Sequence, residues 1–339
     1  MAILEASPRI LDVPDAPAIP GLVFRRFWDE SDLPSIVTIT NACRAADHIE
    51  AVETPARVAN VFQPSGNFDP HCDAFIVEVS GEAVAYGRLW WRREDNGTYV
   101  YPHVGGVHPA WRGRGIGRAL LRLKERRMRE IASAHPDDAP RFFQAFIADS
   151  ETDYEALARG EGYAPARYFF EMVRPTLGDI ADAPLPEGLE MRPVQPEHYR
   201  TIWEAKQEAF RDHWGAFAAT EWHFQNWLND PNFDPTLWQV AWDGDQVAGM
   251  VLGFVDAVEN EQFQRQRGWT EDIAVRRPWR KRGLARALIV QTLHALKERG
   301  MTEAALGVDA ENLSGALGLY KSAGFRVVKR SAAYRKPLT

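Results

Sequence analysis

The sequence predicts a mixed α/β protein built from two tandem copies of one domain, and three observations predict it. VHPAWRGRGIGRAL at 107–120 aligns without gaps on VRRPWRKRGLARAL at 275–288, with 8 of 14 positions identical at an offset of 168. Other landmarks recur at nearly the same offset: Gly21-Leu22 with Gly188-Leu189, Val79 to Ala85 with Trp242 to Ala248, and Gly162-Tyr163 with Gly324-Phe325. Self-similarity at a fixed spacing marks a duplicated unit. Between the copies, Pro175 to Gly188 carries three prolines, two glycines and three acidic residues, the composition of a linker. With 339 residues the chain has room for two cores. We place the boundary near Pro184, giving domains 1–180 and 184–339.

Within each copy a helical segment comes first, followed by alternating apolar strands with a turn at Ser80-Gly81 or Asp243-Gly244. In the second copy a strand from Trp269 to Val275 leads into a helix from about Lys281. That helix places Leu284, Leu288, Leu293 and Leu296 on one face, and Gly300 is its stop signal. A strand at Ala304 to Val308 and a helix from Ser314 to Ser322 complete the copy.

Composition narrows the partners. Lys plus Arg number 40 against 47 Asp plus Glu, and a net charge of -7 supplies no overall drive towards nucleic acid or anionic membrane. The longest apolar stretch, Val247 to Val255, falls far short of the roughly 20 residues that span a bilayer. The first residues lack a basic start followed by an apolar run, so a cytoplasmic protein is expected. Cys43 and Cys72 form no CxxC pair and are expected as small buried residues. His71, Cys72 and Asp73, adjacent on what reads as extended chain, would point to alternating sides, so no metal is expected there. The arginine-rich run Arg118 to Arg129 reads as a solvated helix face.

The strand running into Arg280, Lys281, Arg282, Gly283, Leu284 and Ala285, which open a helix, is where free backbone N–H groups meet an anion. Gly283 and the small Ala285 allow close approach of phosphate oxygens, and Arg280 and Arg282 can add charge. The first copy offers Arg112, Gly113, Arg114, Gly115 and Gly117. Neither copy is a P-loop, because Gly-Lys-Ser/Thr is missing, and neither has the Gly-x-Gly-x-x-Gly spacing of a dinucleotide fold.

Val275-x3-Trp279-Arg280-x-Arg282-Gly283-Leu284-Ala285 after a strand, followed by Asn312 and by Leu319-Tyr320-x3-Gly324-Phe325, resembles the GNAT superfamily of acyl-CoA N-acyltransferases. The two copies together cover most of the chain. The resemblance implies two tandem GNAT-like domains, each with a mostly antiparallel, splayed central sheet flanked by helices. It also implies acetyl-CoA as co-substrate, its pyrophosphate on Arg280 to Ala285 and its pantetheine arm beside Ile273 and Val275, with Asn312 nearby. Val107 and the Arg112 to Gly117 loop would be the first-copy counterpart. The chain is then expected to be a monomer whose halves stand in for two subunits.

Acyl transfer to an amine needs a base for the amine, stabilisation of the oxyanion and a proton for the departing thiolate. Glu271 matches the family's general base and Asp272 is the neighbouring alternative; strand alternation sends the two to opposite faces. A surface carboxylate paired with Arg276 or Arg277 is the competing reading of Glu271. Tyr320 matches the family's general acid, with a core aromatic as its competing reading. In the first copy His103 stands opposite Glu271 and Ala158 opposite Tyr320, so that copy is expected to be catalytically weak. Trp203, Trp214, Trp222, Trp227 and Trp238, with Asp212, His213 and Glu221, could wall an amine pocket or simply fill the core. The expected activity is transfer of acetyl to a small amine; a protein or peptide N-acetyltransferase and a non-catalytic acyl-CoA-binding module are the alternatives.

Overall fold

The computed structural model of the chain describes residues 10–311 and 315–338. Two compact units are present: one runs to Ala166 and takes in the chain from Ala332 onward, and the other is Arg167–Ser331.

The first unit begins with β1 (Ile10–Leu11), β2 (Leu22–Arg26), α1 (Leu33–Ala46), α2 (Pro55–Val61) and the single turn α3 (Pro70–Asp73). It continues through β3 (Ala74–Val79), β4 (Glu82–Leu89), β5 (Arg92–Arg93), β6 (Tyr99–Val107), α4 (Ile116–Ala132), β7 (Arg141–Ala148) and α5 (Thr152–Gly160). Its sheet runs β1-β2-β3-β4-β6-β7, with β5 on β6, and every pairing is antiparallel except β6 with β7. The β3–β4 turn falls at Ser80-Gly81, both at positive φ, the geometry that matches the twist of a two-residue hairpin. On one face Gly87 lies against Lys124 and Leu120 of α4; on the other, Tyr86 and Trp90 pack with Ile36 and Val58 of α1 and α2.

The second unit takes β8 (Ala164–Arg174) from Arg167 onward, then β9 (Glu190–Met191), α6 (Tyr199–Ala209), α7 (Glu221–Leu228), β10 (Trp238–Asp243) and β11 (Gln246–Val255). After these come α8 (Ala257–Gln262), β12 (Arg267–Val275), α9 (Leu284–Glu298), β13 (Glu303–Asp309), α10 (Ala316–Ser322) and β14 (Arg326–Pro337). The order is β8-β13-β12-β11-β10-β9, and β12–β13 is the parallel pair. Leu284, Leu288, Leu293 and Leu296 of α9 are all buried, as their spacing predicts. Ile202, Ala205 and Ala209 of α6 cover the other face with Trp238, Trp242 and Leu252.

Several expectations change. The compact units differ in extent from the halves of the repeat: the second begins at Arg167 within β8, and the end of β14 belongs to the first unit. There Leu338 N–H donates to Arg141 O at 2.9 Å, Arg335 reaches Gln144, and Lys336 pairs with Glu125 at 2.8 Å. Helix α9 starts at Leu284 rather than Lys281, because Lys281 (φ +62°) and Gly283 (φ +86°) hold the preceding loop in left-handed geometry. Asn312, Leu313 and Ser314 lie outside the described residues, and α10 begins at Ala316. His71, Cys72 and Asp73 form a helical turn rather than extended chain, because Asp69 caps it and Pro70 opens it; Asp73 pairs with Arg127 at 2.9 Å. Among the described residues no group of three or more His, Cys, Asp or Glu side chains could hold a metal ion. Both cysteines are only half-buried, and Cys43 Sγ donates to Val107 O at 3.2 Å. Lys124, inside the arginine run read as solvated, is 4% exposed. No helix among the described residues is long and apolar enough to cross a membrane.

Candidate active site

Two local features of the second unit build the site. The parallel register of β12 and β13 runs only from Arg267↔Glu303 to Trp269↔Ala305, and beyond it the strands part. Where the ladder would continue, the Glu271 carboxylate takes the place of a backbone acceptor, receiving the Gly307 N–H at 2.9 Å. The first unit parts in the same way after Pro102↔Gln144. The second feature is a bulge: two steps on β11, Met250 to Leu252, oppose three on β12, Ala274 to Glu271. Asp272 sits in it at φ +49°, and Lys206 of α6 pairs with its carboxylate at 2.6 Å. Glu271 and Asp272 therefore serve different neighbours, as strand alternation predicts, but the bulge breaks the alternation that predicted it.

Glu271 is only half-buried as a residue, yet its carboxyl is pushed up to about 8, chiefly because burial disfavours the charged form. The Gly307 amide and the Lys206 cation pull it down, and the Asp272 charge pushes it up. Pairing with Arg276 or Arg277 does not occur, since Arg276 binds Glu208 and Arg277 binds Asp212. Tyr320 is 6% exposed on α10, with its ring 6.5 Å from Phe325. Burial first, and then the Glu271 charge, raise its phenol, so the two candidate proton carriers sense each other.

The loop before α9 presents a run of unpaired backbone amides. From Lys281 to Arg286 no backbone N–H has an acceptor among the described residues, and the space a Gly283 side chain would fill is open. The first unit repeats this at Gly113 to Arg118, with Gly113 at φ +73° and Gly115 at φ +86°. The two motif arginines are not poised over these loops. Arg280 donates to Val275 O at 2.9 Å and pairs with Asp212, while Arg112 grips Asp47 through two 2.6 Å bonds. Arg282 reaches Glu187 O at 3.0 Å. The open donors of the loop are therefore its backbone amides, and the arginines are engaged by the protein around it. Gly283→Ala is expected to weaken acetyl-CoA binding about tenfold in a titration, because a left-handed φ costs a non-glycine residue roughly 1–2 kcal/mol. An unchanged Kd would move the anion elsewhere.

Ile273 and Val275, on the free side of the bulge, are half-buried. Of the aromatic segment, Trp203 and Trp238 are core residues, and Trp227 stacks on Trp238 at 5.0 Å. Trp214 and Trp222 are half-buried, Asp212 braces Arg277 and Arg280, and Glu221 pairs with Arg200. In the first unit His103 is 2% exposed, with Nε2 3.0 Å from the Tyr163 hydroxyl and Nδ1 3.0 Å from Lys124 Nζ. Burial drives His103 well below its ordinary range and Lys124 down to about 7. A neutral histidine tied to a lysine replaces the carboxylate, and the buried Ala158 replaces the phenol. Sequence reasoning missed Lys206 and Lys124; nothing in their local sequence marks them.

Residues 199–325 match the acetyltransferase (GNAT) family, and residues 70–146 match an acetyltransferase (GNAT) domain. The chain is 33% identical over 68% of its length to the mycothiol acetyltransferase of Thermomonospora curvata, covering 72% of that protein. The chain belongs to the GNAT family. The mycothiol acetyltransferase of Salinispora tropica is 30% identical over 76% of this GNAT chain and 80% of its own length. Among solved structures, a GCN5-related N-acetyltransferase from Sphaerobacter thermophilus superposes with a TM-score of 0.69 at 30% identity, covering 94% of this chain and 97% of its own. A tandem GNAT protein from the clavulanic acid biosynthesis pathway shares the fold, with a TM-score of 0.65 over 93% of this chain and 98% of its own at 16% identity. The protein is thus a tandem GNAT enzyme, an acyl-CoA-dependent N-acetyltransferase.

Proposed function

We propose that the second unit transfers acetyl from acetyl-CoA to the primary amine of a small molecule by direct attack. The observation that carries this is that Glu271, a carboxyl pushed up to about 8 at the parting of β12 and β13, lies within electrostatic reach of the buried phenol of Tyr320 on α10. Acetyl-CoA supplies the activated thioester. The amides of Lys281 to Arg286 hold its pyrophosphate, and the freed edge of β12 at Ile273 and Val275 lies along its pantetheine arm. Glu271, as carboxylate, takes the proton of the acceptor ammonium; Tyr320 returns one to the departing sulfur. Asp272, paired with Lys206, is a positioning residue. In the first unit neither role has an occupant, so its Val107 and Arg112 to Gly117 loop is a cofactor-binding remnant without chemistry. The mycothiol acetyltransferases among the relatives support a small, polar amine as acceptor.

The test is acetyl transfer from acetyl-CoA to a panel of small amines and to lysine and N-terminal peptides, scored by free thiol release. Turnover with amines but not peptides supports the reading, and turnover confined to peptides overturns it. Once an amine is found, Lys206→Met should move the acidic limb of kcat/KM to higher pH. The sign follows from the charges facing Glu271: Lys206 from α6 pulls its pKa down and the Asp272 charge from β12 pushes it up, while the Gly307 and Asp272 amides also lower it and the Tyr320 phenol senses its charge. An unmoved limb would remove Glu271 as the titrating base.

A further inference from the structure

A half-buried cation in the first unit is left over from this account. Arg88 lies on β4, and its guanidinium stands 4.7 Å from the Trp90 ring, 5.5 Å from Phe68 and 5.7 Å from Phe62. Among the described residues its one hydrogen bond is from Nη1 to Val61 O, at 3.0 Å. It forms no ion pair among the described residues. Glu53, the carboxylate that attracts it electrostatically, has its oxygens taken by Arg44 and by the Thr54 amide.

The fold does not require a cation here. Ala85 pairs with Val107 and Gly249 with Val275, and Val107 and Val275 are equivalent in the repeat. Counting three residues along each strand puts Arg88 opposite Leu252, a residue buried in the apolar cluster under α6. A guanidinium therefore occupies a place where the sister unit is content with leucine, and partial desolvation of a cation without a counter-ion is destabilising. Burial pushes Arg88 down to about 10, so it stays charged at neutral pH.

We propose that Arg88 anchors a ligand site on the α1–α2 face of the first unit that binds a carboxylate. The geometry selects that class. With Nη1 held by Val61 O, the Nε and Nη2 edge is left, two parallel N–H donors at the spacing of two carboxylate oxygens. Neither atom has a protein acceptor, and Arg88 keeps partial contact with solvent, so a ligand can reach them. Arg44, the other cation near Glu53, is already paired with it, and a single guanidinium suits a monoanion better than a phosphate dianion. Phe62, Phe68 and Trp90 surround the guanidinium and thin its hydration, which strengthens the ion pair that forms.

Thermal unfolding of the full chain in sodium acetate or benzoate, against sodium chloride at equal ionic strength, tests the site. The wild type is expected to gain about 3 °C or more at a tenfold excess over Kd, and Arg88→Leu to gain nothing. In chloride, Arg88→Leu should melt no lower than wild type, because it restores what the sister unit carries. Arg88→Lys, which keeps the charge and loses the two-donor edge, should bind benzoate at least tenfold more weakly. Equal carboxylate shifts in wild type and Arg88→Leu, or no shift in the wild type, would overturn the proposal. So would a shift produced by inorganic phosphate alone.

Discussion

Glu271→Gln is expected to lower kcat by about 10² to 10⁴ while leaving acetyl-CoA affinity within about twofold, the loss typical of removing a general base. Glutamine keeps an oxygen for the Gly307 N–H, so the strands around it need not move. The pH dependence separates this from a structural loss. A carboxyl pushed up to about 8 is largely protonated at neutral pH, so wild-type kcat/KM should climb with pH and level off above about 8, whereas Glu271→Gln should be flat there. Stability supplies an independent check. Because the folded-state pKa lies above the ordinary 4.5, the native protein binds the proton more tightly than the unfolded chain, and wild-type stability falls as pH rises from about 4.5 to about 8. Glutamine has no proton to lose, so melting curves of the two proteins should diverge in that window, with the variant the more stable above pH 8. Coincident curves at pH 5 and pH 9 would mean Glu271 does not titrate where its surroundings place it.

Tyr320→Phe is expected to lower turnover ten- to a thousandfold with acetyl-CoA binding barely changed. Removing one oxygen leaves the ring against Phe325, so folding should survive. Burial and the Glu271 charge raise the phenol above its ordinary value, which keeps its proton on through the neutral range and available to a departing thiolate. A parallel loss of acetyl-CoA affinity would instead make Tyr320 a packing residue. If both substitutions leave turnover intact, the chemistry belongs elsewhere in the chain.

What was legible in the sequence was local. The glycine-bearing loops declared themselves because left-handed φ and unpaired helix-start amides are properties of a few consecutive residues, and duplication printed the signal twice. The apolar face of α9 was equally plain, since one helix carries the whole period. What stayed hidden depends on partners far along the chain. Lys206 meets Asp272 across 66 residues and Lys124 meets His103 across 21, and neither lysine differs in local pattern from a solvated one. The partners of Arg280 and Arg112 were hidden for the same reason: a motif shows that a cation is present but not which carboxylate pairs with it. The bulge at Asp272 had no glycine to announce it.

The assignment of Ala332 and the residues after it to the first unit has a consequence for synthesis on the ribosome. The closing edge beside β7 is translated last, so the first unit cannot finish folding co-translationally when its own half emerges. It must wait, with β7 lacking that neighbour, until the whole second unit has been made. Nor can the halves be separated by cutting at the linker, because a chain starting after residue 180 would lack the strand residues 169–174 that pair with β13. Each duplicated half supplies strand residues to the compact unit built mainly from the other.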